Sequence, residues 1–242
     1  MTNLIISEAT INLLGKSKME KHKKLVIVGA GELAMIAYEY FTYDSPYEVF
    51  GFAVEREYLD SQNLYDLPII PFEEMQAHFS SAEYDVFVAI PASQLNRLRT
   101  RLYLAVKEMG YTCATYISSR AFVWRNAVVG ENCFIFENNT VQPFVEIGNN
   151  VILWSGNHIG HRSIIEDNCF LSSHVVVSGY CRIGNSSFLG VNSTLNDHVS
   201  VARDCIVASG SLVSKSLKEP ERIYYGAPAK EMPRKSSLSV KL

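Results

Sequence analysis

Nowhere in the 242 residues do eighteen apolar side chains follow one another, so no transmembrane helix or membrane insertion is expected. No charge of one sign prevails: 22 Lys and Arg stand against 25 Asp and Glu, and a net charge of −3 gives no reason to expect a nucleic-acid partner. The opening residues, MTNLIISEATINLLGKSKMEKHKK, lack the plan of a secretory signal. Ser7, Glu8 and Thr10 interrupt the apolar stretch, and the basic residues follow it instead of preceding it. Residues 1–22 read as an appended arm, a short amphipathic helix, with Met19 as an alternative start. The expected compartment is the cytoplasm. Cysteine is scarce, at five residues, and in a reduced compartment such residues act as small hydrophobes.

What the chain does have is a period of six. Every sixth residue from Val129 to Val213 is a branched aliphatic, and counting backwards adds Val123 and Ile117, making seventeen consecutive hits. A helix repeats near 3.6 residues and a flat strand at 2, so neither alone demands this spacing. A chain that turns a corner every six residues does, because one large side chain per hexad then points at a common axis. Four residues after each aliphatic stands a slim one, among them Cys133, Asn139, Asn157, Cys169, Cys181 and Cys205. Four of the five cysteines share this column, so their spacing reflects packing and not metal ligation. Asn139 and Asn157 lie eighteen residues apart, one full coil, and are expected to stack as a buried amide ladder.

Upstream the pattern is alternating β and α. Strands are expected at Leu25–Val28, Tyr47–Val54, Leu67–Ile70 and Asp85–Ile90. Helices are expected after Ala34 through about Tyr43, from about Phe72 to Phe79, and from Ala92 to Met109, the last ended by Gly110. This argues for a small parallel sheet of nucleotide-binding topology. Gly29-x-Gly31-x-x-Ala34 matches a dinucleotide fingerprint, with Glu55 at the end of the second strand. Only one mononucleotide half is present, so a nucleotide other than NAD is the better expectation.

Several stretches together carry a family resemblance: Lys24-Leu25-Val26-Ile27-Val28-Gly29-Ala30-Gly31, Gly51-Phe52, the seam from Val88 to Ser119, the hexads, and Tyr225-Gly226-Ala227-Pro228-Ala229-Lys230. The chain resembles, from about residue 24 to 230, the bacterial sugar acyltransferases that join a small Rossmann-like domain to a left-handed hexapeptide β-helix. Those best known acetylate nucleotide-linked amino sugars or sialic acid. The resemblance implies an α/β plus all-β fold: an extension over 1–22, a Rossmann-like nucleotide-sugar-binding domain over 23–113, a left-handed β-helix acyltransferase domain over 114–218, and a loop and tail over 219–242. It also implies a homotrimer that binds acetyl-CoA in clefts between adjacent prisms.

Acyl transfer from a thioester needs a base and a donor to the developing oxyanion. The family's histidine stands two residues after an inward aliphatic; here Ile159 is that aliphatic and His161 the expected base. Eighteen residues on, Gly179 sits above it on the next coil, and its unobstructed N–H is the expected oxyanion donor. Many relatives carry a carboxylate beside the histidine, but here Gly160 and Arg162 flank it, leaving Asn157, Glu146 and Asp167 as candidates to orient the ring. A second histidine of some relatives is replaced by Phe170. Gly190, Ala208 and Gly210 are expected to line the pantetheine path, with Lys230 near a phosphate and Lys215, Lys218 and Arg222 as alternatives. For the nucleotide sugar, Gly29, Gly31 and Glu32 are expected near phosphate or ribose, and Glu55, Ile90 and Pro91 near the base.

The function that follows is acetyl-CoA-dependent N-acetylation of a UDP-, dTDP- or GDP-linked amino sugar for surface glycan (lipopolysaccharide or O-antigen) synthesis. The nearest alternative is O-acetylation of a sugar hydroxyl at the same site. A remoter one is a zinc-dependent hydratase like the γ-class carbonic anhydrases, suggested by His158, His161, His174 and His198. Their hexad positions scatter these histidines, so no metal is expected. A non-catalytic nucleotide-sensing trimer is the remaining class.

Overall fold

A computed structural model describes residues 19–242, so most of the expected arm lies outside the described residues. The amino-terminal sheet contains β1 (Lys23–Val28), β2 (Tyr47–Val54), β3 (Asn63–Leu64), β4 (Leu67–Pro71) and β5 (Tyr84–Val88), in the order β3–β4–β2–β1–β5. All neighbours are parallel except the β3–β4 hairpin. Strand order therefore reverses between β1 and β5, and the crevice beyond their carboxyl ends is where such sheets bind ligands. Leu25 and Ile27 pack on one side of β1, Val26 and Val28 on the other, so the strand is apolar throughout.

Helix α1 (Glu32–Asp44) follows β1, α2 (Met75–His78) follows a 3-10 turn at Phe72–Glu74, and α3 (Arg97–Glu108) follows β5. α3 starts five residues later than the apolar pattern suggests, because Gln94, Leu95 and Asn96 all adopt positive φ. That turn packs Leu95, fully buried, against Ile206 and Ile223 of the carboxy-terminal half. Among the described residues no helix is long and apolar enough to cross a membrane.

From β6 (Tyr116–Ile117) to β22 (Leu212–Val213) a two-residue strand recurs every six residues, and each as far as Thr194–Leu195 pairs in parallel with the strand eighteen residues on. The result is a three-sided parallel β-helix. Its period has a conformational origin: the third residue after each inward aliphatic from Val129 to Val207, such as Asn138, Asn150, Asn168 or Asn192, turns the corner at a positive φ, mostly near +60°. Asn and Gly tolerate that region; a bulky side chain pays about 1–2 kcal/mol for it. The prism edge between the β13 (His158–Ile159) and β14 (Ile164–Ile165) faces carries the bulkiest of these corner residues, Phe144, Arg162, Tyr180 and His198, at φ 63°, 58°, 58° and 61°.

The aliphatics from Ile135 to Val213 are all buried, whereas Val123 and Val129 are half-buried and Ile117 is 40% exposed. The register is unbroken, but the first coil has a neighbour on one side only. The slim column is buried as well, and the Cys133 and Cys169 thiols donate to the carbonyls of Gly148 and Gly184 on the next coil. Asn139 and Asn157 do not form the expected ladder. Each turns its amide to main-chain groups, Asn139 to Phe136 and Trp154, Asn157 to Trp154 and Val175. The ladder runs one column away, from Asn132 to Asn150 and from Asn150 to Asn168, at 2.8 Å each. Those side chains stand at one prism edge, where Asn132 also donates to the Val88 carbonyl at 3.4 Å.

One face of the prism is covered: Phe134, Ile152 and Phe170 pack against the underside of the amino-terminal sheet and α1. The segment expected as loop and tail instead extends this face. Strand β23 (Arg222–Tyr225) pairs in parallel with the strand at Ile206–Val207, and β24 (Lys230–Ser236) returns antiparallel. Its charged sequence hides the pairing, which serves to satisfy a sheet edge. Among the described residues, neither the face outward from His158, Val176 and Thr194 nor the face outward from Glu146, Ile164 and Arg182 has such cover.

Candidate active site

His161 stands exposed at one edge of the His158 face, where it meets the face of Ile164. A Cβ added to Gly179 would lie 2.6 Å from its Cε1 and 2.9 Å from its Nε2, so the ring occupies the space a side chain at 179 would fill. Tyr180 meets the ring edge-on at 5.2 Å and itself stacks on His198 at 4.8 Å. The expected oxyanion donor is not free: the Gly179 N–H donates to Asp197 Oδ1 at 2.9 Å. The carboxylate comes from the coil above, which residue counting places there but cannot orient.

None of the three candidates for orienting His161 touches it. Asn157 is bound to main chain, Asp167 Oδ1 accepts from the Asn149 N–H, and Glu146 is exposed on the next face. The partner is Gln142, whose Oε1 lies 2.9 Å from the His161 backbone N and 3.3 Å from its Nδ1. Gln142 was missed because it sits nineteen residues before His161, off the eighteen-residue column. Glu166 makes the same reach to the backbone N of Asn185 at 2.8 Å.

Gly190, Ala208 and Gly210 border the same uncovered face at its opposite edge. Gly190 is buried, and a Cβ there would meet the Ser209 N at 2.5 Å; Gly210 is exposed at φ 68°. Lys230 opens β24 and is exposed, as are Lys215 and Lys218, while Arg222 pairs with Glu231 at 3.0 Å. Phe170 lies on the covered face under the Arg99 guanidinium, remote from the His161 edge. His174 belongs to the edge of Gly190, and among the described residues no group of three His, Cys, Asp or Glu side chains is placed to hold a metal ion.

The second crevice opens beyond β1 and β5. Gly29 at φ +115° lies so close to the next loop that a Cβ would meet the Ala89 carbonyl oxygen at 2.9 Å and Ile90 Cδ1 at 3.2 Å. Gly31 caps α1, with nothing within 4 Å of its Cβ position, and Glu32 is exposed in the first turn. A carboxylate there accepts hydrogen bonds and suits a hydroxyl donor. Glu55 follows β2 directly but is clamped by Arg101 of α3 at 2.7 and 2.8 Å, and that guanidinium holds its carboxyl below the usual range.

Ile90 and Pro91 are tied by a residue the sequence did not point to. Arg99, fully buried, donates from Nη1 to both their carbonyls at 3.3 Å. Its other nitrogens reach Asn150 Oδ1 and the carbonyls of Asn150, Asn168 and Cys169 at 3.2–3.3 Å. All six partners are neutral, and burial lowers the Arg99 pKa to about 10. One guanidinium thus joins the nucleotide-type crevice to the amide ladder of the prism.

A Rossmann-like half-sheet seated on a hexapeptide β-helix defines the class. Residues 112–223, nearly half the chain, match the family described as the GMPPB C-terminal domain. No curated protein sequence matches. Among solved structures, the perosamine N-acetyltransferase of Caulobacter crescentus, in complex with CoA and GDP-perosamine, is similar at 22% identity, over 86% of this chain and 96% of that one, with a TM-score of 0.77. The acetyltransferase domain of PglB from Neisseria gonorrhoeae FA1090 is similar at 20% identity, over 87% and 100%, with a TM-score of 0.75. WeeI from Acinetobacter baumannii AYE follows at 16% identity, over 87% and 100%, with a TM-score of 0.67. The chain has the fold of these proteins over nearly its whole described length.

Proposed function

We propose that the protein is an acetyl-CoA-dependent N-acetyltransferase acting on a nucleotide-linked amino sugar, with His161 as general base. The observation that carries this reading is the make-up of the face outward from His158. That face holds an imidazole lodged against Gly179 at one edge and the Gly190, Ala208 and Gly210 backbone at the other. The fold shared with a perosamine N-acetyltransferase and an acetyltransferase domain supports it. The sugar amine attacks the thioester carbonyl, the new C–N bond forms, and the C–S bond breaks. His161 Nε2 takes the proton released from nitrogen, and the departing thiolate is protonated to free CoA.

Gly179 serves first by leaving room for the ring. Its N–H acts as oxyanion donor if the tetrahedral intermediate displaces Asp197 from it. Gly190, Ala208 and Gly210 line the pantetheine path, with Lys230 at the phosphate end. The unit over 23–113 holds the nucleotide, Gly29 and Gly31 beside the phosphates, Glu32 on a ribose hydroxyl, and Ile90, Pro91 and Glu55 toward the base. That unit packs on the covered face, whereas His161 stands on the prism edge opposite. A homotrimer, in which a neighbour's nucleotide unit faces His161, resolves the separation. The donor and the nucleotide sugar place the reaction in the cytoplasm, in the supply of sugars for lipopolysaccharide or O-antigen.

Thiol release from acetyl-CoA with a panel of UDP-, dTDP- and GDP-linked 3-amino and 4-amino sugars tests the proposal. Release with an amino sugar, reduced about 10²- to 10⁴-fold in the His161→Asn variant, is the expected result. Release with a hydroxyl acceptor alone replaces it with O-acetylation, and no release together with zinc in the purified protein replaces it with a hydratase.

A further inference from the structure

A histidine that accepts a proton at one ring nitrogen must carry one at the other, and the partner of that second nitrogen sets tautomer and ring orientation. For His161 that nitrogen is Nδ1, 3.3 Å from Gln142 Oε1. The backbone N–H of His161 meets the same atom at 2.9 Å. A backbone amide only donates, so the Gln142 atom there is the carbonyl oxygen and not the amide nitrogen. An oxygen that accepts from the main chain can only accept from the ring as well. Nδ1 therefore bears the hydrogen, and Nε2, against Gly179, keeps its lone pair.

We infer that Gln142 is the positioning residue of His161, a neutral amide in the place a carboxylate would take, and that this pairing suits an amine acceptor. The inference rests on His161 being the base. A carboxylate beside the ring would favour the imidazolium by its charge, which a neutral amide does not do, so Gln142 serves to orient the ring. An amine needs no more. It attacks as the neutral base, and the nitrogen becomes acidic only once the C–N bond has formed, so a moderate base removes its proton. A hydroxyl must lose its proton as it attacks and calls for the stronger, carboxylate-backed base.

The remaining charged or titratable groups around this edge do not substitute for Gln142. Arg162 lies over the Phe144 ring at 4.4 Å, and Asp197 is spent on the Gly179 N–H. Tyr180 touches His161 only ring to ring, with His198 beyond it, and Arg125 is exposed two coils below.

Nitrogen-15 NMR of the full chain reads the tautomer directly. The wild-type His161 should show a protonated Nδ1, with the signal moving toward the Nε2–H form in the Gln142→Leu variant. That variant should lose about 10- to 100-fold in kcat with KM for acetyl-CoA and Tm unchanged. In the Gln142→Glu variant the acid limb of the pH–kcat profile should move up by about one pH unit, since a carboxylate favours the imidazolium. A Gln142→Leu protein with wild-type tautomer and kcat overturns the positioning role, and a Gln142→Glu profile that does not move overturns the neutral-amide argument. If His161→Asn keeps full turnover, the base assignment itself falls, whatever the tautomer.

Discussion

His161 and Gly179, eighteen residues apart, occupy one space: a Cβ on Gly179 would stand 2.6 Å from Cε1 of the imidazole. The glycine is required by its neighbour's ring, not by its own backbone, because its φ lies outside the left-handed region. Gly179→Ala should therefore fold normally and swing an exposed ring aside. The expected outcome is a loss of about 10²-fold in kcat, as a misplaced catalytic group costs, with Tm within a few degrees of wild type. A large fall in Tm would show that the glycine is structural.

Arg99 and Asn150 form one buried network and should behave as one. Arg99→Met strips hydrogen bonds from six neutral oxygens, and on the order of 3 kcal/mol of stability should go with them. Asn150→Ala also breaks the amide ladder and places an alanine at a φ of 57°. Because the two share partners, urea unfolding of the double variant should show a loss smaller than the sum by at least about 0.5 kcal/mol. Strict additivity would mean that the arginine is held by the carbonyls alone.

The inward aliphatics share a register but not an energy. Ile159→Ala, fully buried in mid-prism, should cost about 2–5 kcal/mol, while Ile117→Ala, 40% exposed on the first coil, should cost less than about 1 kcal/mol. Denaturant titration of the two variants separates packing from periodicity. Equal losses would show that the first coil is covered in solution.

The five thiols are all free and buried, and burial pushes Cys113, Cys133 and Cys169 up to about 12. A thiol with a raised folded-state pKa keeps its proton while the unfolded chain loses its own above about 8.5. Stability from these groups is therefore complete below that pH and falls as pH rises from there toward 12. Native protein at pH 8 should leave a thiol-reactive dye unreacted over minutes, with all five labelled in guanidinium, and Tm should decline from pH 9 upward. Rapid labelling of the native chain would contradict the inward column.

The hexads, the glycine fingerprint and the alternation of strands and helices made the architecture legible in the chain, because each is a sum over many local preferences that no single contact can reverse. The eighteen-residue ruler likewise put His161 beneath Gly179 and four cysteines in one column. Where one side chain reaches a neighbouring coil or unit, counting stops. Gln142 bonds nineteen residues ahead, Asp197 turns to the Gly179 amide, Asn139 and Asn157 choose carbonyls over each other, and β23 and β24 close a sheet edge that their charged sequence conceals. Arg99 looks in sequence like one more basic residue on an amphipathic helix, and only the docking of α3 on the prism buries it. Period and pattern are written in one dimension; which rotamer meets which acceptor is decided by the space left when the coils and the sheet pack together.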